Sequence, residues 1–279
     1  MKIIDPHLHF FDLDEGNYEW LKHNPPAWPH LDLIQQNHLP AALQNIALFK
    51  VAACVHVEAG FDNNHPLREL EWLANIVPPL PYKAVAYAQI DSPHEQFRNA
   101  LHKLQHPSLV AIRDITEGDD AQRLQCEHTR QNLCYLAEQN IHFEAQFEVH
   151  NTVISRHMYD IYREQPAATL VINHAGFMTE GRDWQESIKL LSQIKNCVIK
   201  FSGHELLDAP IAPQHQLSAL LTYFGSERIM LASNHPVCLI KHDYETQWQH
   251  YYELVQQVDS KVWHQLSFEN AKRVYKLAV

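Results

Sequence analysis

Two histidines stand two positions apart near the start of the chain, at His7 and His9. They close an apolar run, Ile3 to Leu8, whose composition is typical of a β-strand. Because strand side chains alternate between two faces, we expect both imidazoles on one face, where they could bind one metal ion or one substrate. The chain has 21 histidines, so the position at a strand end is a stronger signal than the spacing.

Other polar residues with chemical potential also follow apolar runs. Arg113 could bind a carboxylate or polarise a carbonyl oxygen, and an ordinary salt bridge is an equal alternative. His174 could be a ligand, a proton carrier or a hydrogen-bond donor, and Glu58 a ligand or a base. The full set of strand-end residues is His7, His9, Glu58, Gln89, Asp91, Arg113, Gln146, Glu148, His174, His204, Asn234 and His235.

The elements that must position these residues alternate along the chain. After a longer first interval, apolar runs rich in Val, Ile and Ala recur about every 30 residues, the length of a strand–helix–loop unit. The runs are Ile3 to Leu8, Val51 to Val57, Ala84 to Ile90, Leu109 to Ile112, Ile141 to Phe147, Thr169 to Ile172, Cys197 to Phe201 and Ile229 to Ala232. Eight such units predict an α/β protein with a (β/α)8 (TIM) barrel formed by one domain, residues 1–279. An open doubly wound sheet is the alternative, but the chain has no GxGxxG or P-loop motif.

Helical patterns fill the intervals. Apolar stripes predict helices over 121–139, 183–194, 244–258 and 268–277. Ser92-Pro93-His94-Glu95 predicts a capping box with proline at the first helical position. The long first interval predicts a loop over the barrel mouth, where Tyr18 and Trp20 could form one wall of a substrate pocket or pack down for stability.

Composition narrows the possible partners. A net charge of −11 disfavours nucleic acid and anionic membranes, and no segment has the length of a membrane span. Five scattered cysteines and no apparent signal peptide indicate a cytoplasmic protein with reduced thiols. We expect a small, anionic substrate molecule as the partner, and a homo-oligomer stays open.

Blocks along the whole chain resemble the amidohydrolase-related (amidohydrolase 2) family, which includes sugar lactonases and 2-pyrone-4,6-dicarboxylate lactonase. Seven blocks carry the resemblance: Ile4-Asp5-Pro6-His7-Leu8-His9, Val57-Glu58-Ala59-Gly60, Ala111-Ile112-Arg113, Val171-Ile172-Asn173-His174-Ala175-Gly176, Lys200-Phe201-Ser202-Gly203, Ser233-Asn234-His235-Pro236 and Asn270-Ala271-Lys272-Arg273. The resemblance implies a metal-dependent hydrolase that opens the ring of a small lactone. It implies that His7, His9 and His174 bind a divalent metal such as Zn or Mn, or polarise the carbonyl, and that Arg113 grips the substrate.

The block around Asn234 departs from the family pattern. The family has Ser-Asp-Trp-Pro there, and its aspartate acts as general base or metal ligand, whereas this chain has Ser233-Asn234-His235-Pro236. A neutral amide cannot accept a proton from water, although it can orient that water. Glu58, His204 and His235 are the candidate replacements. The alternatives are a catalytically impaired ligand-binding barrel and a metal-dependent decarboxylase.

Overall fold

The computed structural model describes residues 1–44, 46–206 and 212–279. Eight strands form one sheet in chain order, and every pairing with a described register is parallel. The strands are β1 (Lys2–Leu8), β2 (Lys50–Val57), β3 (Tyr82–Tyr87), β4 (Leu109–Ile115), β5 (His142–Gln146), β6 (Leu170–Ile172), β7 (Cys197–Phe201) and β8 (Ile229–Leu231).

Helices occupy the intervals between the strands. The α-helices are α1 (Glu19–Lys22), α2 (Leu31–Ile34), α3 (Leu67–Ile76), α4 (His94–Lys103), α5 (Glu127–Glu138), α6 (Thr152–Arg163), α7 (Arg182–Leu191), α8 (Pro213–Phe224), α9 (Tyr244–Asp259) and α10 (Asn270–Tyr275). No helix of the described residues has the length and apolar character needed to cross a membrane.

The segment after β8 returns to β1. His235 forms a parallel bridge with Leu8, and the Asn234 N–H donates to the His7 carbonyl over 2.9 Å. The strand order is therefore circular, which is the topology of a (β/α)8 barrel. The predicted fold class is confirmed.

The strands lie where the apolar runs predict them, because parallel strands are covered on both faces and need apolar side chains throughout. Every residue of β7 is buried, as is every residue of β1 after Lys2. The third strand is shorter than predicted and ends at Tyr87, three residues before Ile90. The Ile90 N–H donates instead to the Asp114 carboxylate, so this backbone has left the strand ladder.

Two helix predictions need correction. The segment predicted as one helix over 121–139 is a 3-10 helix, Gly118–Gln125, followed by α5, because Cys126 is extended and interrupts the helical backbone. The Ser92 capping box is wrong: Pro93 precedes the first helical residue, and no side chain caps the helix. The Asn132 side chain binds the Ser92 carbonyl and fixes this turn from outside.

The other predicted helices are present with small shifts. Residues 183–194 fall largely in α7 and residues 244–258 in α9, while 268–277 combine a π-helix, Gln265–Glu269, with α10. The first interval is more ordered than the predicted loop, since it contains α1, α2 and a 3-10 helix, Pro40–Gln44.

The residues group into two compact units. Unit 1 consists of Met1–Tyr87, His106–Leu109 and Met230–Val279, and unit 2 of Ala88–Gln105 and Val110–Ile229. Trp248 and Tyr275 are among the largest fully buried side chains of unit 1, and Trp184 and Phe201 among those of unit 2.

A charged pair is buried inside unit 2. Lys200 of β7 donates to the Glu144 carboxylate of β5, and both side chains are 0% exposed. Alternation along β5 places Glu144 and Gln146 on one face and Phe143 and Ala145 on the other. An ion removed from water in this way is tolerated only while its charge is compensated nearby.

We expect Lys200→Met to lower the free energy of unfolding by about 3–5 kcal/mol, because it leaves the Glu144 carboxylate buried without this cation. Urea denaturation checks the value. The matched control is Arg182→Met in the exposed Arg182–Glu186 pair of α7, where we expect less than about 1 kcal/mol. Equal losses in the two variants would show that the buried pair contributes no more than a surface pair.

Candidate active site

The end of β1 in unit 1 carries the two histidines singled out from their spacing. His7 is 0% exposed and His9 is 6% exposed. Their ring centroids lie 5.1 Å apart with an interplanar angle of 78°. The structure therefore brings the two imidazoles together.

The hydrogen bond of His9 determines which ring nitrogen is basic. His9 Nδ1 lies 2.7 Å from the Val57 carbonyl oxygen at the end of β2. A carbonyl oxygen can only accept, so Nδ1 carries the hydrogen and Nε2 of the neutral ring carries the lone pair. His9 is thereby prepared to accept a proton or a hydrogen bond, or to ligate a metal, through Nε2.

A second imidazole holds the backbone beside His9. His56 Nδ1 accepts the Phe10 N–H over 3.1 Å, and His56 Nε2 donates to Glu69 over 2.9 Å. The same Glu69 oxygen accepts the Ala59 N–H over 2.8 Å. Sequence reasoning missed His56 and Glu69. The available signal was that His56 stands two positions before the strand-end Glu58, on the same face of β2.

Asp5 joins β1 to the segment after β8 within unit 1. Its carboxylate accepts the N–H groups of His7 and Ser233 over 3.2 and 3.1 Å and the Tyr244 hydroxyl over 3.0 Å. Burial raises the pKa of the Asp5 carboxyl group to about 6. Asp5 thus fixes the backbone at His7 and at Ser233. This role could not be predicted from the sequence of the strand.

Asn234 lies against β1 through its backbone. It has a left-handed conformation, with φ of 58°, which asparagine adopts more readily than most residues. The next residue's carbonyl accepts the His9 N–H over 2.6 Å. Asn234 therefore belongs to the same part of unit 1 as His7 and His9.

His235, a candidate general base, is a weak one in this structure. Its ring packs against those of His38 and Tyr244, with centroids 5.1 and 5.4 Å away. Burial lowers the pKa of the His235 imidazole to about 3, and the nearby His38 adds to the effect. An imidazole with this pKa stays neutral at pH 7 and accepts a proton from water poorly.

The two aromatic residues predicted to contact substrate lie in different surroundings. Tyr18 is fully buried, and its hydroxyl oxygen accepts the Asp12 N–H over 3.0 Å, which favours a packing role. Trp20 is half-buried, donates from Nε1 to the Ala59 carbonyl over 2.8 Å, and lines an open cleft of about 780 Å³. The other lining residues are Asn17, Glu19, Lys22, His23, Asn24, Gly60, Asp62, Asn63 and Asn64.

Arg113 begins a chain of hydrogen bonds in unit 2. Its buried guanidinium donates from Nη1 to Gln146 Oε1 over 2.8 Å. Gln146 Nε2 donates in turn to Glu117 Oε1 over 2.6 Å. Burial raises the pKa of the Glu117 carboxyl group, and repulsion from Glu148 acts in the same direction. The sequence identified Arg113 and the strand-end position of Gln146 but missed Glu117.

His174 occupies a tight turn after β6 in unit 2. Its Nδ1 lies 3.0 Å from the Ser202 hydroxyl oxygen, and its φ is 54°. Gly203 packs on it so closely that an added Cβ would lie 2.6 Å from the His174 Cβ, so only glycine fits there. His204, two residues beyond Ser202, has its ring 4.3 Å from that of Phe201.

The donor set gives little support to a tightly bound metal ion. Across residues 1–44, 46–206 and 212–279, no group of three or more His, Cys, Asp or Glu side chains is arranged to hold one. A catalytic zinc site takes three protein ligands, and His7 and His9 supply two imidazoles. His7 and His9 therefore supply two of the three ligands of such a site, which suits a weakly held ion, and the ligand set of His7, His9 and His174 stays a prediction.

Comparisons with known proteins agree with this fold. "Uncharacterized protein y4mH" of Sinorhizobium fredii is 26% identical over 271 residues, with 88% of this chain and 89% of that protein covered. An amidohydrolase from Burkholderia multivorans with bound Zn has a TM-score of 0.78 at 19% identity, covering 99% of this chain and 100% of that one. A protein from Acinetobacter baumannii, named a probable 2-pyrone-4,6-dicarboxylic acid hydrolase and solved with citric acid bound, has a TM-score of 0.68 at 16% identity, covering 99% and 100%.

A match over nearly the whole chain identifies the family. The family model described as amidohydrolase matches residues 4–277, which include β1 with its two histidines and the block around Asn234. The structural neighbours have too little identity to transfer a substrate, so they support the fold alone. The chain belongs to the amidohydrolase family.

Proposed function

We propose that this protein hydrolyses a small anionic lactone of the sugar-acid or pyrone type. The observation that carries the proposal is the clamped guanidinium of Arg113, which Gln146 orients from β5. A guanidinium fixed in this way binds a carboxylate or a developing oxyanion without reorganising during the reaction. The family match supports a hydrolase, and a cyclic ester is the substrate class that the resemblance of the sequence blocks implies.

The chemistry assigned to the residues is attack of water on the lactone carbonyl. Arg113 holds the substrate carboxylate or the carbonyl oxygen as negative charge develops. Within unit 1, His9 Nε2 can accept a hydrogen bond, because its Nδ1 is committed to the Val57 carbonyl. The Asn234 amide can orient a water molecule but takes no proton.

For the cofactor, we propose a weakly held divalent ion, Zn or Mn, on His7 and His9, which would add Lewis-acid polarisation of the carbonyl when bound. Two imidazoles without a carboxylate favour partial occupancy, and the steps above proceed through the side chains alone. The proposed setting is the cytoplasm, with the small anionic substrate as partner.

We expect Arg113→Met to lower kcat/KM for carboxylated lactones by about 10²–10³-fold, because it removes a buried, charge-assisted contact to the substrate. Arg113→Lys should lie between this variant and the wild type, since a lysine keeps the charge and loses the planar fork. Initial rates on aldonolactones and pyrone carboxylates check both values.

Circular dichroism must show each variant folded, and Arg182→Met on α7 is the exposed-arginine control. No turnover of any lactone by the wild type contradicts the proposal, and CO2 release instead identifies a decarboxylase.

We expect protein purified without chelator to carry clearly less than one equivalent of Zn or Mn, because the described donor set is small. Elemental analysis checks the metal content. We expect chelation to change lactone turnover by less than about threefold. Loss of a catalytic proton-transfer group would lower the rate far more, by about 10²–10⁴-fold. Stoichiometric zinc whose removal abolishes turnover would refute this part of the account.

Asn234→Asp separates an enzyme from a ligand-binding barrel. In a competent enzyme we expect the added carboxylate to leave kcat unchanged or to lower it, since it introduces a negative charge on a residue whose backbone binds His7. Steady-state rates of the wild type and the variant make the comparison, with Asn234→Ser as the neutral control. A strong gain of activity from a near-inactive wild type would favour the impaired, ligand-binding alternative.

A further inference from the structure

Lactone hydrolysis needs a group that takes a proton from water, and two residues considered from the sequence supply it poorly. Asn234 is an amide, and burial lowers the pKa of His235 to about 3. The unit that contains Arg113 offers another carboxylate, Glu117, which the sequence did not single out. It stands two residues beyond β4 and is linked to the guanidinium through one side chain, Gln146.

The backbone around Glu117 is fixed on both sides. Thr116 N and Oγ1 both donate to the Gln146 carbonyl, over 3.0 and 3.2 Å, which anchors the loop on the end of β5. On the other side, Gly118 N donates to the Glu148 carboxylate over 3.1 Å. Gly118 has a φ of 56°, a left-handed conformation that suits glycine. The loop therefore holds the Glu117 side chain in one place.

The amide of Gln146 spans the gap between Arg113 and Glu117. The path consists of a 2.8 Å hydrogen bond, one amide group and a 2.6 Å hydrogen bond. A lactone and its attacking water would span a similar length. In that arrangement the lactone carbonyl oxygen accepts from the guanidinium, and the water next to the carbonyl carbon donates to the carboxylate. Gln146 binds Oε1 of Glu117, and Oε2 is the oxygen that we assign to the water.

We propose that Glu117 is the general base of the reaction, taking the role that Asn234 cannot fill. This inference rests on the proposed lactone hydrolysis. Glu117 Oε2 accepts a proton from water as the water oxygen forms a bond to the carbonyl carbon. The ring C–O bond then breaks, and the proton passes from Glu117 to the leaving alkoxide oxygen. The product is the ring-opened hydroxy acid, and the Glu117 carboxylate is regenerated.

The charges around Glu117 suit a base that works near neutral pH. Burial and the like charge of Glu148 raise the pKa of Glu117, while the Gln146 donor and the Arg113 charge oppose them. A carboxylate whose pKa lies nearer the working pH is a stronger proton acceptor and is still ionised. Activity should therefore fall as the pH drops through the raised pKa of Glu117.

The test is Glu117→Gln, in which the new carboxamide oxygen can still accept from Gln146 and keep the clamp. We expect kcat on the best lactone to fall by about 10²–10⁴-fold, KM to stay within about threefold, and the acidic limb of the pH–rate profile to disappear. A second variant is Glu148→Gln, whose carboxamide oxygen can still accept the Gly118 N–H and keep the loop in place. It should keep kcat within about threefold at pH 8 and move the acidic limb to lower pH, because a like charge is removed.

The outcomes separate this inference from the proposed function. Turnover by the wild type with an unchanged kcat and acidic limb in Glu117→Gln overturns the assignment of the base and leaves lactone hydrolysis standing. A raised KM with unchanged kcat also overturns it, because that result describes a binding residue. Absence of turnover in the wild type refutes the proposed function, and the assignment of Glu117 falls with it.

Discussion

The side chain of Gln146 is bound at both ends, and the chemistry of unit 2 depends on that constraint. Its carbonyl oxygen must face Arg113, and its amino group must face Glu117, so only one orientation of the amide satisfies both partners. A cation suited to anionic substrates and a carboxylate suited to proton transfer are thereby held one amide apart.

In unit 1, contacts to the main chain hold the candidate functional residues in position. Asp5 accepts two backbone N–H groups, His56 accepts one, and the Val57 carbonyl fixes the ring of His9. These contacts determine the direction of an imidazole nitrogen, whereas the Gln146 clamp determines the separation of two charged groups. The two units therefore provide different kinds of preorganisation, and Asn234 takes part in the main-chain contacts of unit 1 through its own N–H.

The fold could be predicted from the sequence because parallel strands buried on both faces leave long apolar runs, and such runs are visible without any knowledge of contacts. His7, His9 and Arg113 could be found because they end these runs. The limits of α5 could not be predicted, since the break at Cys126 depends on a local backbone conformation rather than on the apolar stripe.

Glu117 and Glu69 could not be identified from the sequence for a related reason. Gln146 is 29 positions from Glu117 and 33 from Arg113, and Glu69 is 13 positions from His56. A strand-end polar residue looks the same in the sequence whether it meets solvent or a buried partner. Only the register of β4 against β5 decides that Gln146 reaches both Arg113 and the loop beyond it.

The most direct measurement of this arrangement is the titration of the Glu117 carboxyl group by carbon-13 NMR in glutamate-labelled protein, in the wild type and in Gln146→Leu. We expect a midpoint above that of an ordinary glutamate and a further rise in Gln146→Leu, because the donor that lowers the pKa of Glu117 is removed. A midpoint at the ordinary value, or one that does not respond to the loss of the Gln146 amide, would contradict this expectation.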